Sequence, residues 1–267
     1  MDDHSAVIDV LIVDNASTDG SGERLKALFP QHHYLQTGAN LGYAGGNQRA
    51  IEWALARDYD YVLIINDDAE VQPGCLGTMV AALERNPRAG AAAPTILHHG
   101  TSIVWFAGGE ISEFKAMGSH TGAGASVDTV RQREPAVSAV TFLSGCVLLL
   151  RSEAVRDCGG LSEEFFAYVE DLELSFRFRR AGWSLLQVAR AVATHKVPYP
   201  EPPDSAFAIR LRDVNRRRLV RRHYSWAMRL TFGLWFYPTR LIHMVRYLVR
   251  GDRSRLVAVW HGMAERV

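Results

Sequence analysis

The chain has 267 residues, 48% apolar and 22% charged, with a formal net charge of +1. This is the composition of a folded globular protein and excludes a disordered, collagen-like or low-complexity chain. Cys75, Cys146 and Cys158 are too few and too widely spaced for a disulfide framework or a cysteine-rich zinc site, and they suit a reducing cytosol.

Met1-Asp2-Asp3-His4 lacks the basic start and apolar core of a secretory leader. Residues 7–13 (VIDVLIV) read as a strand ending at Asp14-Asn15. Residues 21–29 read as a helix stopped by Pro30, and residues 34–35 as a short strand. Residues 42–58 read as a loop followed by a helix, with Ile51, Ala54 and Leu55 on one face. The run Tyr61-Val62-Leu63-Ile64-Ile65 predicts a buried strand. A helix over 76–85 stops at Asn86-Pro87, and strands follow over 89–94 and 103–106. Residues 115–135, rich in Gly, Ser and Thr, read as a long mobile loop. Residues 137–151 read as one strand, 165–180 as a helix ending at Gly182, and 185–192 as a strand.

Strands alternating with helices imply an α/β fold, a Rossmann-like, mostly parallel sheet with helices on both faces. The longest nearly apolar stretch, 137–150, carries Ser138, Thr141, Ser144 and Gly145. It is shorter than the roughly 20 residues of a membrane-spanning helix.

Charge divides the chain into a domain over 1–204 and a tail over 205–267. The tail holds 14 Arg and no Lys against Asp213, Asp252 and Glu265, a surplus of eleven, so the body carries a balance of −10. Arg210, Arg212, Arg216, Arg217, Arg218, Arg221 and Arg222 form a basic helical stretch. Residues 225–250 mix aromatic and aliphatic side chains with spaced arginines, and Pro238 should divide them into two helices. Such helices suit a membrane interface bearing anionic lipid. The alternative is a hairpin packed on the body or on a second subunit of a homo-oligomer. The acidic body argues against nucleic acid as partner.

Four segments carry candidate chemistry, and each alone has an ordinary explanation. Asp14-Asn15-Ala16-Ser17-Thr18-Asp19-Gly20-Ser21 follows a strand and can cap a helix or bind a ligand's polar groups. Asn40-Leu41-Gly42-Tyr43-Ala44-Gly45-Gly46-Asn47 opens a helix, where glycines allow close backbone approach to phosphate or simply a flexible entry. Asn66-Asp67-Asp68 sits at the carboxyl end of a strand, where open α/β sheets bind ligands and where carboxylates can hold Mg²⁺ or Mn²⁺; a solvated turn explains it equally. Glu170-Asp171 can complement a helix dipole or supply a general base, and His195 can be a surface residue or complete a cation's coordination.

In this order the segments resemble the inverting nucleotide-sugar glycosyltransferases of family 2, on the GT-A fold, and within them the bacterial rhamnosyltransferases. Trp105-Phe106-Ala107-Gly108-Gly109, Phe142-Leu143-Ser144-Gly145 and Gly159-Gly160-Leu161-Ser162-Glu163-Glu164-Phe165-Phe166 extend the likeness, which spans roughly residues 7–222. The resemblance implies a nucleotide-sugar site at Asp14, Asn15, Asn40, Gly45, Gly46, Asn47, Asn66 and Asp67. It implies a Mg²⁺ or Mn²⁺ site at Asp68 and His195, and catalysis by Asp171 as base with Glu170 beside it. The expected reaction moves rhamnose or a similar sugar from a nucleoside diphosphate to a hydroxyl of a glycan or glycolipid, in surface-polysaccharide synthesis at the inner face of the plasma membrane. Two departures stand out. Asn66 occupies the first acidic position of the family's D-x-D motif. The chain also starts at what looks like the family's second strand, which implies an N-terminally truncated form and an exposed sheet edge. The alternative function is therefore a truncated, non-catalytic relative acting as an interaction module.

Overall fold

The computed structural model describes residues 8–133 and 135–267. The leader reading at Met1–His4, Val7 of the first expected strand and Glu134 of the expected loop lie outside them. The first half runs β1 (Leu11–Asp14), α1 (Ser21–Leu28), β2 (His33–Gln36), α2 (Gly42–Leu55), β3 (Tyr61–Ile65), β4 (Ala69–Val71), α3 (Cys75–Arg85) and β5 (Ala89–His98). Next come β6 (Val104–Phe106), β7 (Gly109–Ser112), β8 (Met117–His120), α4 (Val127–Arg133), β9 (Val137–Val140), β10 (Val147–Arg151) and α5 (Ser152–Cys158). The chain closes with α6 (Glu170–Arg180), β11 (Ser184–His195), α7 (Ala206–His223), α8 (Trp226–Val249) and α9 (Arg253–Ala264).

The α/β architecture is present, and its main sheet is mixed. Its order is β3-β10-β5-β11-β4, with β6 beside β5 and β9 beside β11. The β5–β11 ladder is parallel, whereas β10 runs antiparallel to both β3 and β5. β1 and β2 form a separate parallel pair, and among the described residues no ladder joins them to β3, the edge strand of the main sheet.

Burial explains a strand the sequence barely marks. Ala89-Gly90-Ala91-Ala92-Ala93 has poor strand propensity, yet all of β5 is buried. Small residues are needed because a Cβ on Gly90 would lie 2.8 Å from Phe178 and 2.9 Å from Ala154. The neighbouring β10 supplies the bulk through Leu148, Leu149 and Leu150.

Five expectations need correction. The 115–135 segment is not a loop throughout: Met117–His120 pairs with β7 as a hairpin, and Val127–Arg133 is a helix whose Val127 and Val130 are buried. Residues 137–151 are two strands in different parts of the sheet, separated by 141–146. The helix expected from 165 begins only at Glu170, because the preceding backbone turns through positive φ. The loop expected at 42 is already helical. Pro238 does not split the tail; α8 runs unbroken through it. The carbonyl deprived of its donor is that of Leu234, on the exposed face, where water can satisfy it. Among the described residues no helix is long and apolar enough to cross a membrane.

Candidate active site

Sheet register brings two distant segments together. β4 pairs antiparallel with the end of β11, setting Ala69 opposite His195, and Lys196 N–H donates to the Asp68 carbonyl at 2.8 Å. Asp68 thereby lies beside the imidazole, its Oδ1 3.1 Å from His195 Nε2. Asp68 Oδ1 lacks a hydrogen-bond partner in proper geometry, and so do Asn66 Oδ1 and His195 Nδ1. Buried polar atoms normally find partners, so unpartnered atoms on all three of these residues are open to a ligand. Two cis ligands of an octahedral Mg²⁺, each about 2.1 Å from the ion, stand about 3 Å apart, which fits the Asp68–His195 spacing. Among the described residues no three His, Cys, Asp or Glu side chains cluster as a metal site. A two-ligand site suits an ion that keeps water and takes substrate phosphate oxygens.

The acidic pair is placed by a strained turn. Phe166, Tyr168 and Val169 have φ of 57°, 67° and 74°, a left-handed region that costs a non-glycine residue about 1–3 kcal/mol. Buried Asn215, on α7, holds this turn: its Nδ2 donates to the carbonyls of Phe165 at 2.6 Å, Ala167 at 2.9 Å and Tyr168 at 2.8 Å. From the other side, Ala44 N–H donates to the Phe166 carbonyl at 2.9 Å. Glu173, fully buried on α6, accepts from Arg177 Nε and lies 2.8 Å from His223 Nε2, tying α6 to α7.

Asp171 is then fixed by two amides. Gly145 N–H reaches its Oδ2 at 3.1 Å and Leu172 N–H its Oδ1 at 2.8 Å. Gly145 is itself held by Tyr43, whose hydroxyl donates to its carbonyl at 2.7 Å. Burial raises the Asp171 pKa above the ordinary 3.8, and the two amides offset part of that rise. Glu170 has no such donors, its Oε2 is unpartnered, and burial together with the Asp171 charge pushes it well above the ordinary 4.5. The amide bonds thus favour the charged form of Asp171, while burial beside that charge favours the neutral form of Glu170.

Asn66, Glu170, Asp171 and His195 all line one cavity of about 810 Å³. Trp105 stands between two histidines there, with ring centroids 4.7 Å from both His120 and His195. Burial lowers the pKa of His120, so this ring is neutral at pH 7. Asp67 is exposed at the same corner but does not line the cavity.

The other nucleotide-site candidates form a second cluster around β1. Buried Asp14 accepts from Ser17 N–H at 2.9 Å, Tyr34 Oη at 2.9 Å and Gln36 Nε2 at 3.3 Å. The bonds from Ser17 come first among the causes that hold its pKa at about 2. Asn15 donates to the Gly42 carbonyl at 2.9 Å and to Asn40 Oδ1 at 3.3 Å, and accepts from Leu41 N–H at 3.0 Å. Gly45 packs on Leu41, Gly46 on Asn15, and Asn47 donates to the Tyr43 carbonyl at 2.9 Å. These contacts stitch β1 to the start of α2. Residues 42–44 in turn reach the acidic pair through Tyr43 and Ala44, which is how the two clusters connect.

Sequence reasoning missed Tyr43, His120, Glu173 and Asn215. Asn215 sits within a run of arginines that read as charge alone, and only the tertiary fold brings it against residues 165–168.

The profile of glycosyl transferase family 2 matches residues 4–157. An N-acetylglucosaminyl-diphospho-decaprenol L-rhamnosyltransferase of Mycobacterium tuberculosis is 33% identical over 215 residues, covering 74% of this chain and 70% of that protein. The low-salt glycan biosynthesis hexosyltransferase Agl10 of Haloferax volcanii is 25% identical over 215 residues, covering 79% and 67%. Among solved structures, GalNAc-T7 with UDP, GalNAc and Mn²⁺ superposes with a TM-score of 0.56 at 13% identity, over 77% of this chain and 42% of that one. The mannosyltransferase PcManGT from Pyrobaculum calidifontis with GDP-Man and Mn²⁺ gives 0.53 at 17%, over 96% and 65%. The chain thus spans less than two thirds of either solved chain, and at those identities the likeness shows a shared GT-A-like fold. The family profile, over more than half of the sequence, and the 33% identical relative go further: the chain is a glycosyltransferase and belongs to glycosyl transferase family 2.

Proposed function

We propose that the protein transfers rhamnose or a similar sugar from a nucleoside-diphosphate donor to a hydroxyl of a lipid-linked glycan, with inversion and with a divalent cation. The observation that carries this reading is Asp171, a carboxylate fixed by two backbone amides on the wall of a cavity it shares with His195 and Asn66. Asp171 takes the proton from the acceptor hydroxyl as that oxygen attacks the anomeric carbon. The bond from that carbon to the diphosphate oxygen breaks, and the nucleoside diphosphate leaves. Burial raises the pKa of Asp171, which makes it a stronger base than an exposed aspartate. Protonated Glu170 beside it orients the acceptor.

Asp68 and His195 would hold Mg²⁺ or Mn²⁺, which supplies positive charge to the departing diphosphate. The unpartnered Asp68 Oδ1 beside His195 supports this role, as do the Mn²⁺ ions named with the two solved neighbours. Asp14, Asn15, Asn40, Gly45, Gly46, Asn47, Asn66 and Asp67 form the donor side. The relative's name supports a polyprenyl-diphosphate acceptor. A lipid acceptor agrees with α8, which has no acidic residue and exposes Leu234, Leu241, Val245 and Leu248, side chains suited to the inner face of a membrane. On this reading residues 1–204 hold the donor and the base, and 205–267 face the acceptor.

The test is release of nucleoside diphosphate from a panel of nucleotide sugars with a lipid-linked acceptor and Mn²⁺. Wild type is expected to turn over one donor. Asp171→Asn is expected to lose about 10²–10⁴-fold in kcat, the usual contribution of a general base, with donor affinity unchanged. Undiminished turnover in that variant would overturn the assignment of the base.

A further inference from the structure

The cavity that holds Asp171 has a second wall built by the C-terminal helices. Arg212 and Arg216 come from α7; Arg240, His243 and Tyr247 come from α8, at helical spacings of three and four that place them on one face. Carboxylates on that side are Glu201, Asp204 and Asp213. Asp213 is shared: its Oδ1 lies 2.7 Å from Arg240 Nη1 and 3.4 Å from Arg216 Nη1, while Asp204 pairs with Arg212.

The donors are not used up. Arg216 is satisfied, with Nε and Nη2 donating to the Lys115 carbonyl at 3.2 and 2.5 Å and the aromatic rings of Phe232, Trp235 and Phe236 around it. Arg240 Nε and Arg212 Nε are each buried without a partner. A buried guanidinium N–H with nothing to donate to is costly, so the wall is incomplete without an acceptor. Burial first, and then Arg240 and Arg246, push His243 below the ordinary imidazole range against the opposing charge of Asp213.

The outer face of the same helix is apolar. Leu234, Leu241, Val245 and Leu248 are 56–69% exposed and lie on the side of α8 away from the arginines. One helix therefore offers cations to the cavity and hydrocarbon to the outside, the two chemistries of a lipid-linked diphosphate.

We propose that Arg212 and Arg240, braced by Arg216 and Asp213, seat the diphosphate of a polyprenyl-diphosphate-linked acceptor, holding its sugar toward Asp171. The inference rests on the glycosyl-transfer reading for its substrate class, but its test needs no transfer. Geranyl diphosphate serves as probe, titrated calorimetrically into the full chain in EDTA, so that the cation corner does not capture the diphosphate. Wild type is expected to bind saturably, inorganic diphosphate to compete, and soluble dihexanoyl phosphatidylglycerol not to. Arg212→Gln and Arg240→Gln are each expected to weaken binding tenfold or more. Arg212, at the rim and paired with exposed Asp204, keeps the test valid if loss of Arg240 unfolds the protein. Absence of saturable binding to wild type, or binding that a folded Arg212→Gln protein retains within twofold, overturns the seat. So does displacement by the phosphatidylglycerol but not by inorganic diphosphate, which would assign the arginines to a bilayer headgroup. Failure to find any donor in the turnover assay would instead overturn the transfer reaction and leave this binding result standing.

Discussion

Adjacent carboxyl groups with different surroundings do different work. Asp171 has two amide donors and Glu170 has none, so the shared burial falls hardest on Glu170. An acid whose folded pKa is raised stabilises the fold fully below its unfolded pKa and loses that contribution as pH climbs toward the folded value. For Glu170 the loss begins near the ordinary 4.5 and continues upward. Each pH unit within that window costs about 1.4 kcal/mol. Glu170→Gln, which has no proton to lose, is expected to melt at the wild-type temperature near pH 4 and progressively above it toward pH 8. Parallel melting curves across that range would show that Glu170 is not held protonated. Both acids were legible in the sequence as a pair, and the family resemblance implied Asp171 as the base, but the physical cause of their difference was not legible, because it depends on Gly145, 26 residues away in the chain.

Elements with strong local signals were read correctly, and those set by packing were not. Tyr61–Ile65 and Cys75–Arg85 follow from an apolar run and a Pro-terminated pattern, and both appear within a residue of expectation. The hairpin at Met117–His120 was invisible because its strands are short and half-exposed, with Gly118 pressed against Phe142. Residues 165–169 read as helix by composition, yet three positive φ angles delay the helix until Glu170. Only distant partners can hold such a turn, and Asn215 is the main one. Asn215→Leu removes the two N–H donors that three carbonyls share, each hydrogen bond worth about 1 kcal/mol net. The expected result is a fall in melting temperature together with a kcat lower by about 10–100-fold, since misplacing a catalytic group by 1 Å costs about that much. Donor KM should stay within twofold. A purely structural role would lower the melting temperature and leave the kcat of the folded fraction unchanged.

At the scale of the whole molecule, the charge boundary near residue 204 is not a boundary in the core. Leu219, Val220, Tyr224, Phe232 and Phe236 of the basic tail belong to the same apolar cluster as Leu148 and Phe178 of the sheet. The tail is therefore bonded to the body on one side and open on the other, which accommodates both readings that the sequence offered, a packed hairpin and a membrane-facing helix. Trp226, Leu230, Leu234, Leu241, Val245, Leu248 and Trp260 are all more than half exposed. That is more contiguous hydrocarbon than a soluble surface leaves uncovered without a partner. Arg229, Arg246 and Arg250 punctuate the same helix and its end, with no acid in the helix to neutralise them. Burying Leu241 and Val245 in lipid is worth about 1.5–3 kcal/mol each, and each basic residue near an anionic surface adds about 1 kcal/mol. Replacing both by Glu should cut co-sedimentation with phosphatidylglycerol vesicles at least tenfold. Both side chains point to solvent, so the melting temperature should hold. Wild-type binding should weaken as salt rises from 0.1 to 0.5 M, because the arginine share is screened, but should not vanish, because the apolar share is not. Equal sedimentation of wild type and the double variant would leave this face to a protein partner instead of a bilayer.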